Sequence, residues 1–115
     1  MEIRYYVTRD GKAVFVDWMK KLGDRQARDR IHKRIDRLSL GNTGDTKSVG
    51  HGVYELRIHY GPGYRIYYGR SGKQVILLLC GGDKTTQQND VIRAIKYWKD
   101  YRRRSWNPVD PTRNT

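Results

Sequence analysis

The chain has 115 residues, enough for one domain with a modest core. Its 24 Lys and Arg residues against 12 Asp and Glu residues give a net charge of +12, so we expect an acidic partner such as nucleic acid, the ribosome or an acidic protein. No apolar run approaches the roughly 20 residues of a membrane-spanning helix. The single cysteine, Cys80, excludes an intramolecular disulfide and a cysteine-based metal cluster. The first residues lack the apolar core of a signal peptide, so we expect a cytoplasmic protein.

The first third of the chain predicts one strand followed by two helices. Apolar and polar residues alternate over 2–8, as they do in a strand. Apolar residues recur at helical spacing over 12–22, and Gly23 ends that segment. Asp24 is placed to cap a second helix, whose apolar stripe consists of Ala27, Ile31, Ile35 and Leu38. Two helices joined by one glycine indicate a helical hairpin packed on a sheet.

The middle of the chain predicts a loop and then a β-hairpin. Residues 41–52 are rich in turn formers and predict the loop. Two alternating runs over 53–70 flank Gly61-Pro62-Gly63 and predict the hairpin. A three-residue loop at 61–63 pairs Tyr60 with Tyr64, Ile58 with Ile66 and Leu56 with Tyr68. This register places both apolar sets on one face of the sheet.

The other face of the predicted hairpin carries its polar side chains. Alternation brings together Glu55, Arg57, His59, Arg65 and Tyr67. Two arginines, a histidine and a carboxylate on a rigid ribbon suit a bound phosphate. A solvated sheet face explains the same pattern equally well, so the residues alone leave both interpretations open.

The last third predicts a buried strand and a final helix. Residues 74–80 are apolar on both sides, which favours a central strand covered by helices on one face and partly buried on the other. Residues 81–84 lead out of it, and a helix begins near Thr85 or Thr86, with Val91, Ile95 and Trp98 as its buried stripe. We expect one folded domain over 1–104 and a disordered tail over 105–115.

Three segments together resemble a known family. They are Gly-Val-Tyr-Glu-Leu-Arg-Ile at 52–58, Gly-Pro-Gly-Tyr-Arg-Ile-Tyr-Tyr at 61–68 and Leu-Leu-Cys-Gly-Gly-Asp-Lys-Thr-Thr-Gln at 78–87. In this order and spacing the chain resembles the RelE/ParE superfamily of small bacterial toxins, and more narrowly its HigB-type, phage Gp49-like addiction-module killer proteins. The resemblance implies an α+β, RelE-like fold: an N-terminal strand, a two-helix hairpin, an antiparallel sheet of about four strands and a C-terminal helix.

The resemblance also implies an activity and partners. Such a protein is the toxin of a type II toxin–antitoxin pair, and it enters the 70S ribosome and cleaves mRNA during translation. Its antitoxin is a helix-turn-helix protein, and operator DNA is reached only through that antitoxin. RNA can be cut without a metal because its own 2′-hydroxyl attacks the adjacent phosphate. No spacing of His, Cys or carboxylates suggests a metal site, and we expect no cofactor.

The resemblance assigns candidate roles to individual residues. Arg65 matches the family's phosphate-binding arginine, Arg57 its second basic position, and Lys84 the place where relatives carry a catalytic basic residue. Further RNA contacts are expected from Lys47, Glu55, His59 and Tyr67. For Glu55 we favour orientation of Arg57 over proton transfer. Several relatives carry an aromatic residue after the Lys84 position to stack on a base, and it is missing here, so this role is unfilled unless Tyr67 takes it.

The basic run 102–104 reads as a solvated helix end that adds affinity for ribosomal RNA. For His32 and His51 we favour surface positions.

Two rival functions are compatible with the sequence. A ParE-type toxin shares the fold but poisons DNA gyrase, although such chains generally lack the basic set Arg57, Arg65 and Lys84. A non-catalytic RNA-binding module also suits the high positive charge and the nine tyrosines and three tryptophans. Translation-dependent mRNA cleavage separates both rivals from the nuclease.

Overall fold

The structure, a computed structural model, describes residues 1–105. Within that range it is an α+β fold of five strands and three helices, so the predicted fold class is confirmed. In chain order the elements are β1 (Glu2–Tyr5), α1 (Val14–Lys21), α2 (Arg25–Ser39), β2 (Thr46–Gly50), β3 (Val53–Ile58), β4 (Tyr64–Ser71), β5 (Val75–Asp83) and α3 (Gln87–Ser105). Ser105, which the sequence assigned to the tail, ends α3. The predicted disorder of the remaining tail lies outside the described residues.

The sheet has one strand more than expected and is mixed. Its order is β1-β5-β4-β3-β2, with β1 parallel to β5 and the other neighbours antiparallel. The additional strand, β2, lies inside the segment 41–52 that the sequence predicted as a loop. It is an edge strand with exposed or half-buried side chains, and such a strand needs no apolar alternation.

One face of the sheet packs against α1 and α2. Asp24 caps α2 as predicted, since its carboxylate accepts a hydrogen bond from the Ala27 backbone N–H at 3.2 Å. The apolar stripe of α2 is buried against apolar side chains of the strands, again as predicted. These strand residues are Leu56, Ile58, Tyr64, Ile66, Tyr68, Ile76 and Leu78.

The β3–β4 hairpin has a longer loop than predicted. Ile58 pairs with Tyr64, Leu56 with Ile66 and Tyr54 with Tyr68, so the predicted register was wrong by two residues. A shift of two keeps every side chain on its predicted face. The loop is longer because Tyr60 leaves the ladder and turns to α2, where its hydroxyl donates to Gln26 at 3.1 Å and Arg30 lies over its ring.

The second face of the sheet is covered by α3, so the solvated sheet face, one of the two interpretations that the residues left open, is not observed. Ala94 and Trp98 of α3 pack there, with Val91 and Ile95 partly buried beside them. On the strands, Val53, Tyr67, Leu77, Leu79 and Cys80 complete this second core. Cys80 is buried, and burial raises the pKa of its thiol to about 12.

Candidate catalytic site

The candidate site lies where the ends of β3, β4 and β5 meet the first turn of α3. Two cross-strand rows bring the residues together. Arg57 is paired with Arg65, and Arg65 with Gly82. In the next row Glu55 is paired with Tyr67 and, on its other side, with Lys47 of β2. The register therefore places both candidate arginines beside a carboxylate.

Glu55 is the centre of this site and has no exposed surface. Its Oε2 accepts hydrogen bonds from the Tyr67 hydroxyl at 3.0 Å and from Gln87 Nε2 at 2.9 Å. Its Oε1 accepts one from Arg57 Nε at 3.2 Å. A buried carboxylate without partners would be very costly, and here three donors compensate the charge.

These contacts keep Glu55 ionised. Burial alone would raise the pKa of its carboxyl group, but the hydrogen bonds from Gln87, Tyr67 and Arg57 and the charge of Arg65 outweigh it and hold the pKa below its usual value. Burial, together with the neighbouring Glu55 charge, raises the pKa of Tyr67 well above its usual range. Tyr67 is therefore a neutral hydrogen-bond donor at physiological pH.

Arg65 is incompletely satisfied by the protein. Its side chain is 14 % exposed, and its Nε lies 3.9 Å from Glu55 Oε1, which is an ion pair but not a hydrogen bond. Its Nε and Nη1 are buried and, within the described part of the chain, have no hydrogen-bond partner. Arg57 is more exposed, at 31 %. The two nitrogens are enclosed by the protein, so the pair offers an anion its positive charge and the exposed part of each side chain.

Gly82 lets α3 begin against this site. A Cβ at this position would lie 2.7 Å from Thr86 Oγ1 and would overlap the Asp90 carboxylate. The Asp90 carboxylate is buried and accepts a hydrogen bond from the Thr86 hydroxyl. Its Oδ1 also accepts one from Arg93 Nη2 at 2.8 Å. The absent side chain at residue 82 thus allows the first turn of α3, which carries Gln87, to approach the strand beside Arg65.

Lys84 lies in the short connection between β5 and α3. Asp83 fixes this connection, since its Oδ1 accepts a hydrogen bond from the Thr85 N–H at 2.8 Å and its own N–H donates to Thr86 Oγ1 at 3.2 Å. The Thr85 hydrogen bonds, above all, lower the pKa of Asp83. Lys84 is exposed beside Gly63, just before the start of β4. In the β4–β5 ladder Arg65 pairs with Gly82, two residues before Lys84.

The residues predicted to contact RNA lie in different environments. Glu55 and Tyr67 are fully buried, so a direct RNA contact, including base stacking by Tyr67, does not fit their positions. Glu55 can influence a bound RNA only through the arginines, and Tyr67 only through its hydrogen bond to Glu55. His59 is exposed and paired with Asp45, whose pKa is lowered chiefly by that hydrogen bond. Lys47 is exposed on the edge strand β2.

A basic cleft adjoins the site on the α2 side, and the sequence analysis did not identify it. Its volume is about 720 Å³. Arg57 and His59 contribute to one wall. The cations of the opposite wall all lie on one face of α2, and they are Arg30, Lys33, Arg34 and Arg37. The spacing i, i+3, i+4 and i+7 of these residues was visible in the sequence and could have indicated a basic helix face.

Metal ligation and membrane insertion find no support in the described part of the chain. Among residues 1–105, no group of three or more His, Cys, Asp and Glu side chains is arranged to hold a metal ion. Across the same residues, no helix is long and apolar enough to cross a membrane.

Comparison with known proteins identifies the family of this chain. Residues 17–104 match the family described as phage-derived protein Gp49-like, which is associated with toxins of toxin–antitoxin systems. This family match contains the whole β3–β4 hairpin, β5 and all of α3 except its last residue. An uncharacterised protein of Haemophilus influenzae is 48 % identical over 80 residues, covering 70 % of this chain and 81 % of the relative. The chain belongs to the phage-derived Gp49-like protein family.

Proposed function

We propose that this protein is the toxin of a type II toxin–antitoxin pair and that it cleaves mRNA on the translating ribosome, as HigB-type toxins do. The association of its family with such toxins supports the first part. The second part rests on one observation. Arg57 and Arg65 lie side by side, and Arg65 has two buried nitrogens without partners among the described residues.

The arginines suit phosphoryl chemistry on RNA. In the proposed reaction the 2′-hydroxyl passes its proton to water as its oxygen attacks the adjacent phosphorus. The bond to the 5′-oxygen breaks and this oxygen takes a proton from water, leaving a 2′,3′-cyclic phosphate and a 5′-hydroxyl. Negative charge develops on the phosphate oxygens in the transition state. A guanidinium fork binds two such oxygens, and fixed cations in a partly buried site need little reorganisation. Arg65 is placed for this role, with Arg57 beside it.

Lys84 and Glu55 have different supporting roles in this proposal. Lys84 is exposed beside Gly63, just before β4 begins. In this proposal its ammonium group adds positive charge near the leaving oxygen. Glu55 has no surface, and both its oxygens are directed at protein donors. It therefore orients the arginines and does not accept the 2′-hydroxyl proton.

The basic cleft beside α2 is the surface proposed to dock on the ribosome. Ribosomal RNA presents closely spaced phosphates, and three exposed cations on one face of α2, Arg30, Lys33 and Arg37, match such a surface. Arg34 of the same face donates instead to backbone carbonyl oxygens of this chain. Lys47 and His59 lie at the periphery of the site and extend this basic surface. Docking would also help to align the message, so the ribosome is part of the proposed catalyst. Translation places this activity in the cytoplasm.

The family context suggests an antitoxin partner. We propose a helix-turn-helix protein, through which the pair would reach its operator DNA. The net charge of +12 favours a partner with an acidic surface.

The test uses purified protein and 70S ribosomes programmed with a defined mRNA. Primer extension should reveal cuts inside the coding region with wild type, and few with Arg65→Ala. The same RNA without ribosomes should be cut poorly, because Glu55, the carboxylate of the site, is buried and cannot act as a base. Absence of cuts by folded protein bound to ribosomes would favour the non-catalytic module, and gyrase-linked DNA damage with intact mRNA would favour the ParE-type rival.

A further inference from the structure

We infer that Gln87 and Tyr67 are positioning residues that keep Arg65 free for substrate by occupying one oxygen of Glu55. This inference rests on the proposed role of Arg65 as the phosphate-binding group.

The two oxygens of Glu55 have separate partners. Oε2 accepts from the Tyr67 hydroxyl and from Gln87 Nε2, at 3.0 and 2.9 Å. Oε1 is directed at the arginines and accepts from Arg57 Nε at 3.2 Å. Neither of the two donors at Oε2 is charged in its usual state, so they fix the carboxylate without removing its negative charge.

This division explains why Arg65 is left without a hydrogen bond. Arginine and carboxylate groups favour a bidentate pair that uses both carboxylate oxygens. Here Oε2 is already occupied, and Arg65 Nε stays 3.9 Å from Oε1. Its Nε and Nη1 therefore remain buried donors without a partner among the described residues. Buried unpaired donors are unfavourable, so Arg65 would bind any carboxylate oxygen left without a partner, whereas the exposed part of its side chain stays open to a phosphate.

Gln87 is suited to this task by its place in the fold. It is the first residue of α3 and half-buried, and Gly82 allows that turn to approach the strand. Its neighbour Gln88 is exposed. The two glutamines therefore form a matched pair, one inside the site and one outside it.

The test compares Gln87→Leu, Tyr67→Phe and the control Gln88→Leu. The first readout is the NMR signal of the Arg65 Nε–H group without RNA. In Gln87→Leu, Oε2 keeps only the hydrogen bond from Tyr67 and can accept one from Arg65, so the Arg65 signal should move downfield and exchange more slowly with solvent. Tyr67→Phe should shift it in the same direction, and Gln88→Leu should leave it at the wild-type position.

The second readout is single-turnover cleavage at saturating ribosomes, expressed per folded protein. Gln87→Leu should lower the rate about 10-fold with little change in KM, the scale seen when a group loses its outer hydrogen-bond partner. An unchanged Arg65 signal in both Gln87→Leu and Tyr67→Phe would overturn the inference, even if the rate fell. If Gln87→Leu does not fold, Tyr67→Phe alone decides. If wild type cuts no RNA, the proposed function fails, whereas the NMR comparison still tests the positioning.

Discussion

At the scale of single residues, Arg65 combines partial burial with unsatisfied hydrogen-bonding capacity. Most buried donors in folded proteins have partners, so a guanidinium with two nitrogens unpaired within the described residues is unusual. Its neighbours give it a fixed position without consuming its donors. Those are the properties needed for binding a charge that appears only during reaction.

We expect Arg65→Ala to lower ribosome-dependent cleavage about 10²–10³-fold, the scale for loss of one donor to a developing oxyanion. Arg65→Lys should recover only part of the rate, because an ammonium cannot reproduce the guanidinium fork. Arg70→Ala is the matched control, since Arg70 is an exposed arginine near the other end of β4. Single-turnover rates with saturating ribosomes measure the effect. A wild-type rate in Arg65→Ala would contradict the assignment of the catalytic site.

Glu55 should make the stability of the fold pH-dependent. Its pKa is lower in the folded protein than in the unfolded chain, so its stabilising contribution is present above the unfolded pKa and is lost as pH falls through the folded value. The unfolded value is about 4.3, so the loss begins near that pH and continues below it. In Glu55→Gln the free energy of unfolding should therefore fall less steeply on acidification. Urea denaturation between about pH 6 and pH 3 measures both slopes, and equal slopes would refute the linkage.

The sequence predicted on which face of the sheet the arginines lie, but it did not predict what surrounds them. Alternation correctly placed Arg57, Arg65 and Glu55 on one face, because a register error of two residues preserves side-chain parity. It could not show that this face is buried. Burial of Glu55 depends on Gln87, which is 32 residues away and becomes a neighbour only when α3 folds over the sheet.

At the scale of secondary-structure elements, the site depends on how closely α3 approaches β5. A methyl group at residue 82 would overlap the Asp90 carboxylate and press on Thr86, so the start of α3 would have to move. We expect Gly82→Ala to lower the free energy of unfolding by about 1–3 kcal/mol, the usual cost of overpacking. It should also weaken cleavage, because Gln87 would move with the helix.

Gly23→Ala is the control for that change. A Cβ at residue 23 meets no atom within 4 Å, and no unusual backbone angle opposes it. Its effect should stay within about 0.5 kcal/mol. Urea denaturation of both variants measures the difference, and equal stabilities would show that α3 adapts without cost.

The basic face of α2 should determine affinity for the ribosome. We expect Lys33→Ala and Arg37→Ala to weaken ribosome binding and to reduce its salt dependence, by about 0.7–0.9 in the logarithmic slope for each phosphate that the variant no longer neutralises. The cleavage rate at saturating ribosomes should stay near wild type, since neither residue contacts Glu55 or belongs to its hydrogen-bonded cluster with Arg57, Tyr67 and Gln87. Lys96→Ala, at an exposed position on α3, is the control. A slope equal to that of the control would place the docking surface elsewhere.

Elements with strong apolar periodicity were predictable, and those that depend on pairing were not. The stripe of α2 and the apolar segment of β5 follow from burial on a fixed side or on both sides. Strand β2 is held by backbone pairing to β3 at the sheet edge, so its side chains carry little signal. The parallel pairing of β1 with β5 likewise joins segments about 70 residues apart, so a local sequence pattern cannot predict it.

At the scale of the whole molecule, the two ends of the described chain are tied together. Tyr6, just after β1, donates a hydrogen bond to Asp100 of α3 at 2.6 Å. Arg104 pairs with the same carboxylate at 2.9 Å, donates to the Val7 carbonyl oxygen at 2.6 Å and lies over the Tyr6 ring. The hydrogen bond from Tyr6, above all, lowers the pKa of Asp100. This group fixes the end of α3 against the edge of the sheet beyond β5.

Residues 102–104 are exposed, as expected for a solvated helix end. The tie adds one feature to that interpretation, because Arg104 also contacts the segment after β1 and its own helix. Arg103 is exposed at the neighbouring position. The run therefore contains one structural arginine, and its position in the sequence alone could not distinguish it from the others.

We expect Arg104→Ala to lower the free energy of unfolding by about 1 kcal/mol. A hydrogen bond to a charged group contributes about 1.5–3 kcal/mol, and solvent screening reduces this because the side chain is 35 % exposed. Arg103→Ala should change stability by less than about 0.5 kcal/mol. Urea denaturation at neutral pH measures both variants, and ribosome binding measured in parallel should change by similar small amounts in the two. If Arg103→Ala and Arg104→Ala are equally stable, the contact between the chain ends contributes nothing to folding; if only Arg104→Ala loses ribosome affinity while stability is unchanged, Arg104 belongs to the docking surface instead.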